Sequence, residues 1–243
     1  MIYVVIFIFG ITLGSFYNCA GLRLAHDESI VFPSSHCVKC NHKLNTFDLI
    51  PLFSFIFLKG KCRYCKEKIS FRYPFFELLT GIIFCLCYYK FGVSYEFLIS
   101  LIFTSTLIII TVSDIETFII PDSILLIGGV LILIVQIIAY KTFAFDKLVN
   151  GAICFGLMFG LKLIGNFLFK KESMGDGDIK LMGLIGLVLG AKQTIFSLFA
   201  AAYLGLPYAL YVIISKKNNR ELPFGPFLSL GAIIFLLIDL NIF

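Results

Sequence analysis

Apolar runs of roughly the length of a transmembrane helix recur along the whole chain, and they constrain its fold more than any other feature. A helix that crosses a bilayer needs about 20 mainly apolar residues. Eight candidate spans follow from the sequence: 1–22, 74–90, 95–113, 121–140, 148–169, 179–191, 194–215 and 224–243. Only 14% of the 243 residues are charged, against about 25% in soluble domains. The sequence therefore predicts an all-α polytopic membrane protein with about eight transmembrane helices.

Lys and Arg residues are concentrated in loops that would lie on one side of the membrane. Nine of them lie in the first loop, 23–73. Others follow the fifth and seventh spans: Lys170, Lys171, Lys216, Lys217 and Arg220. The opposite loops contain Lys90, Lys141, Lys147 and Lys192. Because cytoplasmic loops carry the excess of basic residues, the first loop is predicted to be cytoplasmic and the N-terminus to lie outside.

Two CxxC pairs lie in the first loop. They are Cys37 with Cys40 and Cys62 with Cys65, with 21 residues between the pairs. This spacing is close to that of a four-thiolate zinc site. With all four ligands supplied by Cys, no position is open for water, so the predicted zinc is structural. Free thiols in two unrelated turns, or a redox pair, are the alternative interpretations, although a reducing cytoplasm argues against structural disulfides.

Two aspartates lie at the ends of apolar runs, where a charge is costly and usually functional. Asp114 closes a span that runs inward and Asp178 opens one that runs outward, so both are predicted at the cytoplasmic membrane edge. Two carboxylates held a few ångströms apart share one proton. One can then activate water while the other donates a proton to a peptide carbonyl. We predict that Asp114 and Asp178 form an aspartyl protease pair.

Gly175 and Gly177 flank this second aspartate. Without side chains, they let the backbone approach a neighbouring helix or an extended peptide, so we predict a substrate-binding role for both. Asp122 fits a structural role as an acid in a first helical turn. Asp176 is predicted to be secondary, and Glu77 is an acid of unassigned role near the membrane interface.

The chain thus divides into three predicted parts. Residues 1–22 form a first transmembrane helix, which is predicted to be retained because it lacks a basic n-region and a small-residue cleavage site. Residues 23–73 form a small cytoplasmic zinc-binding loop domain. Residues 74–243 form a multi-helix transmembrane aspartyl protease domain.

Three other functions are compatible with parts of this pattern. The first is a non-enzymatic membrane scaffold with a zinc loop, whose aspartates only cap helices. The second is an ion-coupled transporter that uses Asp114 and Asp178, although transporters usually place such acids near the bilayer midplane. The third is a thiol oxidoreductase, which would need its cysteines outside the cell, against the charge asymmetry.

The short motifs follow one another in an order typical of one family. They are Gly14-Ser15-Phe16-Tyr17-Asn18 with Arg23; His36-Cys37-x-x-Cys40-x-His42; Asp48-x-Ile50-Pro51-Leu52; Gly60-Lys61-Cys62-Arg63-x-Cys65; Arg72-Tyr73-Pro74-x-x-Glu77-Leu78; Asp114 with Ile120-Pro121-Asp122; Gly175-x-Gly177-Asp178-x-Lys180; and Pro223-Phe224-Gly225-Pro226. Together they resemble the type IV prepilin peptidases, leader peptidases and N-methyltransferases of pilus, secretion and competence systems. Tyr17, Cys19 and Ala20 depart from the aliphatic residues usual in that family.

The resemblance implies a membrane aspartyl endopeptidase (a GxGD-type protease) with Asp114 and Asp178 as its catalytic pair. Such an enzyme cuts a short basic leader from prepilins or pseudopilins, after a glycine, on the cytoplasmic side. It then methylates the new N-terminal amine, often of Phe, with S-adenosylmethionine. The implied location is the bacterial cytoplasmic (inner) membrane, with lipid and prepilin but no nucleic acid as partners. The residues that bind the methyl donor do not carry over, and we expect them in the first cytoplasmic loop and around Gly14–Asn18.

Overall fold

The computed structural model describes residues 1–140, 145–215 and 222–238. Within these ranges the chain is helical, and no β-strand forms apart from two isolated bridges. The α-helices are α1 Ile2–Ala25, α2 Phe53–Phe57, α3 Arg72–Phe91, α4 Tyr95–Thr117, α5 Asp122–Tyr140, α6 Phe145–Phe169, α7 Asp176–Leu189, α8 Ala191–Ile214 and α9 Gly225–Leu237. A short 3₁₀ helix, Thr46–Leu49, precedes α2.

Six of these helices are long and apolar enough to cross a membrane: α1, α3, α4, α5, α6 and α8. This confirms a helical, multi-pass membrane protein but not the predicted number of eight spans. In the described part of the chain, α7 has 14 residues and α9 has 13. Helix α7 is short because Gly190 ends it with a φ of +81°, a conformation that a glycine adopts without strain.

Some of the predicted features lie outside the described residues. They are the last residues of the eighth predicted span, 239–243, and four of the basic residues used to orient the chain: Lys141, Lys216, Lys217 and Arg220.

The chain forms two compact units, Met1–Gly92 and Val93–Phe243. Helix α3 packs against α1 and so belongs to the first unit. The boundary between the units therefore falls after Gly92, whereas the boundary predicted from the sequence falls after residue 73.

In the first unit, α1 and α3 run antiparallel with their backbones in close approach. Tyr3 contacts Tyr88 at one end of the pair, with 5.1 Å between ring centroids. Further along, a Cβ added to Gly10 would lie 2.8 Å from the Cα of Gly81. Small residues allow membrane helices to pack at this distance, where dispersion and backbone contacts replace the missing hydrophobic drive. This packing sets which residues of α1 face α3.

In the second unit, helix directions bring three helix termini to one end of the bundle. Helices α4 and α5 are antiparallel, because Tyr140 near the end of α5 hydrogen-bonds to Glu96 near the start of α4. Helices α5 and α7 are parallel: the Asp122–Lys180 pair joins their first turns, and Gln136 donates to the Leu187 carbonyl further along. The C-terminus of α4 and the N-termini of α5 and α7 therefore share one end. Helix α9 packs against both α4 and α7.

Candidate active site and candidate metal centre

Asp114 lies in the last turn of α4, and its side chain is held from a distant part of the chain. The residue is 4% exposed. Its carboxylate oxygen Oδ2 accepts the backbone N–H of Gly225 at 2.9 Å, across 111 residues of sequence. A hydrogen bond to a charged group stabilises a protein by about 1.5–3 kcal/mol, and a buried carboxylate without one is costly. The start of α9 therefore orients this carboxylate.

Glycine is needed at the position that makes this bond. A Cβ on Gly225 would lie 2.8 Å from Oδ2 of Asp114 and 3.4 Å from Cδ1 of Ile120. Atoms do not approach at 2.8 Å without one of them moving. The N–H can donate at this distance only because no side chain occupies the space.

Asp178 lies in the first turn of α7, which begins after its N-cap Gly175. Its Oδ1 is buried and has no hydrogen-bond partner among the residues that the structure describes. The two aspartates that the sequence paired are thus at the same end of the bundle, where α4 ends and α7 begins.

Ile120 connects the surroundings of the two aspartates. It is 9% exposed, and it lies in the link between α4 and α5, where Ser113 donates a hydrogen bond to the neighbouring Ile119 carbonyl. A Cβ on Gly177 would lie 2.7 Å from the Cβ of Ile120, whose Cδ1 also reaches Gly225. The structure thus gives Gly177 a packing contact, and the substrate-binding role of Gly175 and Gly177 stays a prediction.

Two ion pairs hold the first turn of α7 on either side of Asp178. Lys162 of α6 binds Asp176, and Lys180 of α7 binds Asp122 of α5 at 2.7 Å. Such exposed pairs contribute little stability, about 0–1 kcal/mol each. Their consequence is orientation, because α7 is tied to one neighbour two residues before Asp178 and to another two residues after it.

The cysteine loop contains two copies of one turn. In the first, the N–H of Cys37 donates to the His42 carbonyl and Asn41 donates back to Cys37. In the second, Cys62 donates to the Glu67 carbonyl and Lys66 donates back to Cys62. This repeat was not predicted, although both turns share the pattern CxxCxxK with a following aliphatic residue, which is a sequence signal for it.

The two turns bring their cysteine sulfurs together. The Sγ atoms of Cys37, Cys40, Cys62 and Cys65 all lie within 4.8 Å of one another, and those of Cys37 and Cys65 are 3.8 Å apart. Zinc–sulfur bonds of about 2.3 Å in a tetrahedron put the sulfurs about 3.8 Å apart. The four predicted residues therefore form a cluster that fits a metal ion, and a four-sulfur set favours zinc.

The protein environment shifts the pKa values of two of these cysteines in opposite directions. Backbone N–H groups of Cys40 and Lys39 hydrogen-bond to the Cys37 sulfur and lower its thiol pKa to about 6. For Cys65 the Glu67 N–H acts in the same direction, but burial and the neighbouring cysteine sulfurs outweigh it and raise the pKa to about 11. Four thiolates this close can coexist only around a positive ion.

Asp48 joins the two turns. Its carboxylate accepts from the Arg63 guanidinium at 2.6 Å and from the Asn45 N–H at 3.2 Å. Burial alone would raise the pKa of Asp48, but the hydrogen bonds from Arg63 and Asn45 lower it overall. Tyr64 stacks against the His42 ring, with centroids 3.6 Å apart.

Glu77, whose role the sequence left open, holds the loop to the helix pair. Its side chain is buried at 6% exposure, and its Oε2 accepts the Leu52 N–H at 2.7 Å. Leu52 has a φ of +60°, which is strained for a leucine. The Ser15 side chain also hydrogen-bonds to this carboxylate.

Comparison with known proteins agrees with these two units. Residues 8–91 match the family model of the bacterial peptidase A24 N-terminal domain, and residues 101–210 match that of the type IV leader peptidase family. A prepilin leader peptidase/N-methyltransferase of Bacillus subtilis (strain 168) is 35% identical over 95% of this chain and 92% of its own length. One from Neisseria gonorrhoeae is 36% identical over 88% of this chain and 76% of its own length. One from Myxococcus xanthus (strain DK1622) is 33% identical over 91% of this chain and 68% of its own length. No solved structure gives a significant match.

The chain has helices of membrane-spanning length, two aspartates at one end of the second unit and a four-cysteine cluster. Together with the family match, these features define a membrane peptidase. The chain belongs to the type IV leader peptidase family.

The contact between Gly177 and Ile120 predicts that Gly177→Ala lowers peptidase activity by about ten- to a hundredfold, because small misplacements of catalytic groups cost that much. The added Cβ displaces Ile120 or the first turn of α7. Leader cleavage by purified enzyme in detergent measures the effect. Gly160→Ala in α6, whose Cβ meets nothing within 4 Å, is the matched control. Unchanged cleavage by Gly177→Ala contradicts a role for this packing in the site.

Proposed function

We propose that this chain is an aspartyl endopeptidase that removes the leader from prepilin-like proteins at the cytoplasmic face of the bacterial inner membrane. The observation that carries the proposal is the presence of Asp114 and Asp178 at one end of the second unit, where Asp114 is buried and Oδ1 of Asp178 is shielded from solvent.

The chemistry requires one proton shared by the pair. The Gly225 N–H favours Asp114 as the charged member, and Asp178, whose Oδ1 has no donor in the described part of the chain, is the protonated one. Asp114 takes a proton from water, and the resulting hydroxide attacks the peptide carbonyl while Asp178 gives its proton to the carbonyl oxygen. When the tetrahedral intermediate collapses, the C–N bond breaks, the amine takes the proton from Asp114, and Asp178 recovers its own.

The position of the pair suits a substrate that is partly embedded in the membrane. The pair lies at a terminus of membrane-spanning α4, and charge counting predicts that this end is cytoplasmic. A substrate with an apolar helix and a basic leader can place its junction there. The relatives are named prepilin leader peptidases, which points to prepilins or pseudopilins as the substrates. We include the shorter α7 and α9 among the membrane-embedded helices, which makes eight with the six that are long enough to span.

The second activity in the relatives' names, N-methyltransferase, would act on the amine that cleavage exposes. S-adenosylmethionine supplies the methyl group when bound. The first unit is its proposed site, since it matches a separate family model and contains buried polar groups that the peptidase reaction does not use. In the same unit, Cys37, Cys40, Cys62 and Cys65 would hold a structural zinc ion that fixes the loop.

Asp114→Asn and Asp178→Asn are each expected to lower leader cleavage by about a thousandfold or more, because each removes a group that transfers a proton. The assay is co-expression with a single-span test protein whose basic leader ends in Gly before Phe, followed by mass measurement of its N-terminus. Asp146→Asn, an exposed acid at the start of α6, is the control and keeps full cleavage. Cleavage at the normal rate in either site variant disproves the catalytic pair.

Methylation is expected to be separable from cutting. Asp178→Asn enzyme, given labelled S-adenosylmethionine and a test protein that already begins at Phe, should transfer label to its N-terminus as wild type does. Radioactivity in the purified product is the readout. If wild-type enzyme cuts the leader but labels no product, the chain is a peptidase alone.

Zinc is expected at one ion per chain, and Cys62→Ser should lose it because three thiolates leave an incomplete tetrahedron. Elemental analysis of protein purified without chelators measures the content. Cys19→Ser is the matched control, since Cys19 lies in α1 outside the cluster. Metal-free wild-type protein, or an unchanged zinc content in Cys62→Ser, refutes the site.

A further inference from the structure

Asn18 is a buried amide whose hydrogen-bonding capacity is unused in the described part of the chain. The residue lies in α1 and is 1% exposed. Neither its Nδ2 nor its Oδ1 has a hydrogen-bond partner among the described residues. Most buried polar groups in proteins are paired, and an unpaired one marks strain, catalysis or a missing binding partner.

Glu77 supplies a buried carboxylate next to the same stretch of α1. Gly14, one turn before Asn18, lies against the α3 backbone at this residue: a Cβ on Gly14 would lie 3.0 Å from the Glu77 Cα and 2.7 Å from Oγ1 of Thr80. The carboxylate is fixed by the Leu52 N–H, which holds the cysteine loop at this place. Ser15 hydrogen-bonds to Glu77 from the α1 side. The first unit therefore contains a carboxylate fixed to its loop and, one turn along α1 from the Gly14 contact, an amide without a partner among the described residues.

These groups define the chemistry of a ligand. A carboxylate only accepts hydrogen bonds and prefers a cation. A primary amide offers two donors and one acceptor. A ligand that satisfies both carries an ammonium group beside a carboxylate, which is the α-amino acid arrangement. Nothing in the peptidase chemistry of the second unit uses these side chains.

We infer that Asn18 and Glu77 bind the α-amino acid end of the methyl donor S-adenosylmethionine. This inference rests on the proposed methyltransferase activity. Glu77 pairs with the ammonium group, and the Asn18 amide donates to the ligand carboxylate and accepts from the ammonium. Both residues are binding residues for the donor, and Leu52 of the loop contacts one of them, Glu77.

The test uses two non-reacting ligands and full-length protein in detergent. S-adenosylhomocysteine carries the amino acid end, and 5′-methylthioadenosine lacks it. Asn18→Leu and Glu77→Gln are each expected to weaken S-adenosylhomocysteine binding by about tenfold or more, as loss of a hydrogen bond to a charged group predicts. Binding of 5′-methylthioadenosine should stay within about twofold of wild type. Calorimetry measures both.

Controls separate this effect from damage to the fold. Gln136→Leu removes another buried amide, in α5 of the second unit, and should bind both ligands as wild type does. Zinc content reports the integrity of the first unit. Glu77→Gln keeps an acceptor for the Leu52 N–H, so we expect it to fold. If Asn18→Leu does not accumulate, the binding data for Glu77→Gln alone test the inference.

The outcomes that overturn the inference are distinct. The inference is wrong if the variants bind S-adenosylhomocysteine with wild-type affinity. It is also wrong if they lose affinity equally for both ligands. The N-terminal ammonium of a cleaved product shares this chemistry, so a soluble peptide that begins with Phe is titrated in parallel. If the variants lose affinity only for that peptide, the site binds the cleaved product and not the methyl donor. If wild-type protein neither binds S-adenosylhomocysteine nor methylates, the methyltransferase function itself fails, while leader cleavage is judged separately.

Discussion

The hydrogen bond from the Gly225 N–H to the Asp114 carboxylate is the interaction on which the second unit depends most. It joins the C-terminal end of α4 to the first residue of α9 and gives a buried carboxylate its only described donor. A side chain at residue 225 would occupy the space of the bond. Ile120 packs against the same glycine and against Gly177. The position of Gly225 is therefore linked through Ile120 to the position of α7, which carries Asp178.

The two units stabilise their charged groups in different ways. Each must keep charged groups in a largely apolar protein, where an unpaired charge is expensive. The second unit pairs Asp114 with a backbone N–H and leaves Oδ1 of Asp178 without a partner among the described residues. The first unit collects four thiols in a loop, and a cation can compensate their charge. It anchors that loop to the helix pair through the Glu77 carboxylate and the Leu52 backbone.

Short helices and glycines determine where polar groups lie at one end of this bundle. Helix α7 is too short to match its neighbours, and its N-terminus is held between α5 and α6 by ion pairs at Lys180 and Lys162. Such exposed pairs orient more than they stabilise. Repeated close backbone contacts, as between Gly10 and Gly81 in the first unit, replace the hydrophobic drive that membrane helices lack. Helix length and glycine placement therefore position the polar groups.

The sequence by itself determined the class of protein, the family, the four clustered cysteines and the two aspartates at one end of the bundle. These follow from local properties: run length, charge distribution, ligand spacing and ordered motifs. Only the tertiary structure assigned α3 to the first unit, gave Gly225, Ile120 and Glu77 their contacts, and left the Asn18 amide unpaired within the described residues. It also showed that six helices, not eight, reach spanning length there. Such features depend on which distant residues meet and on where a helix ends, and composition and hydropathy along the chain carry neither kind of information.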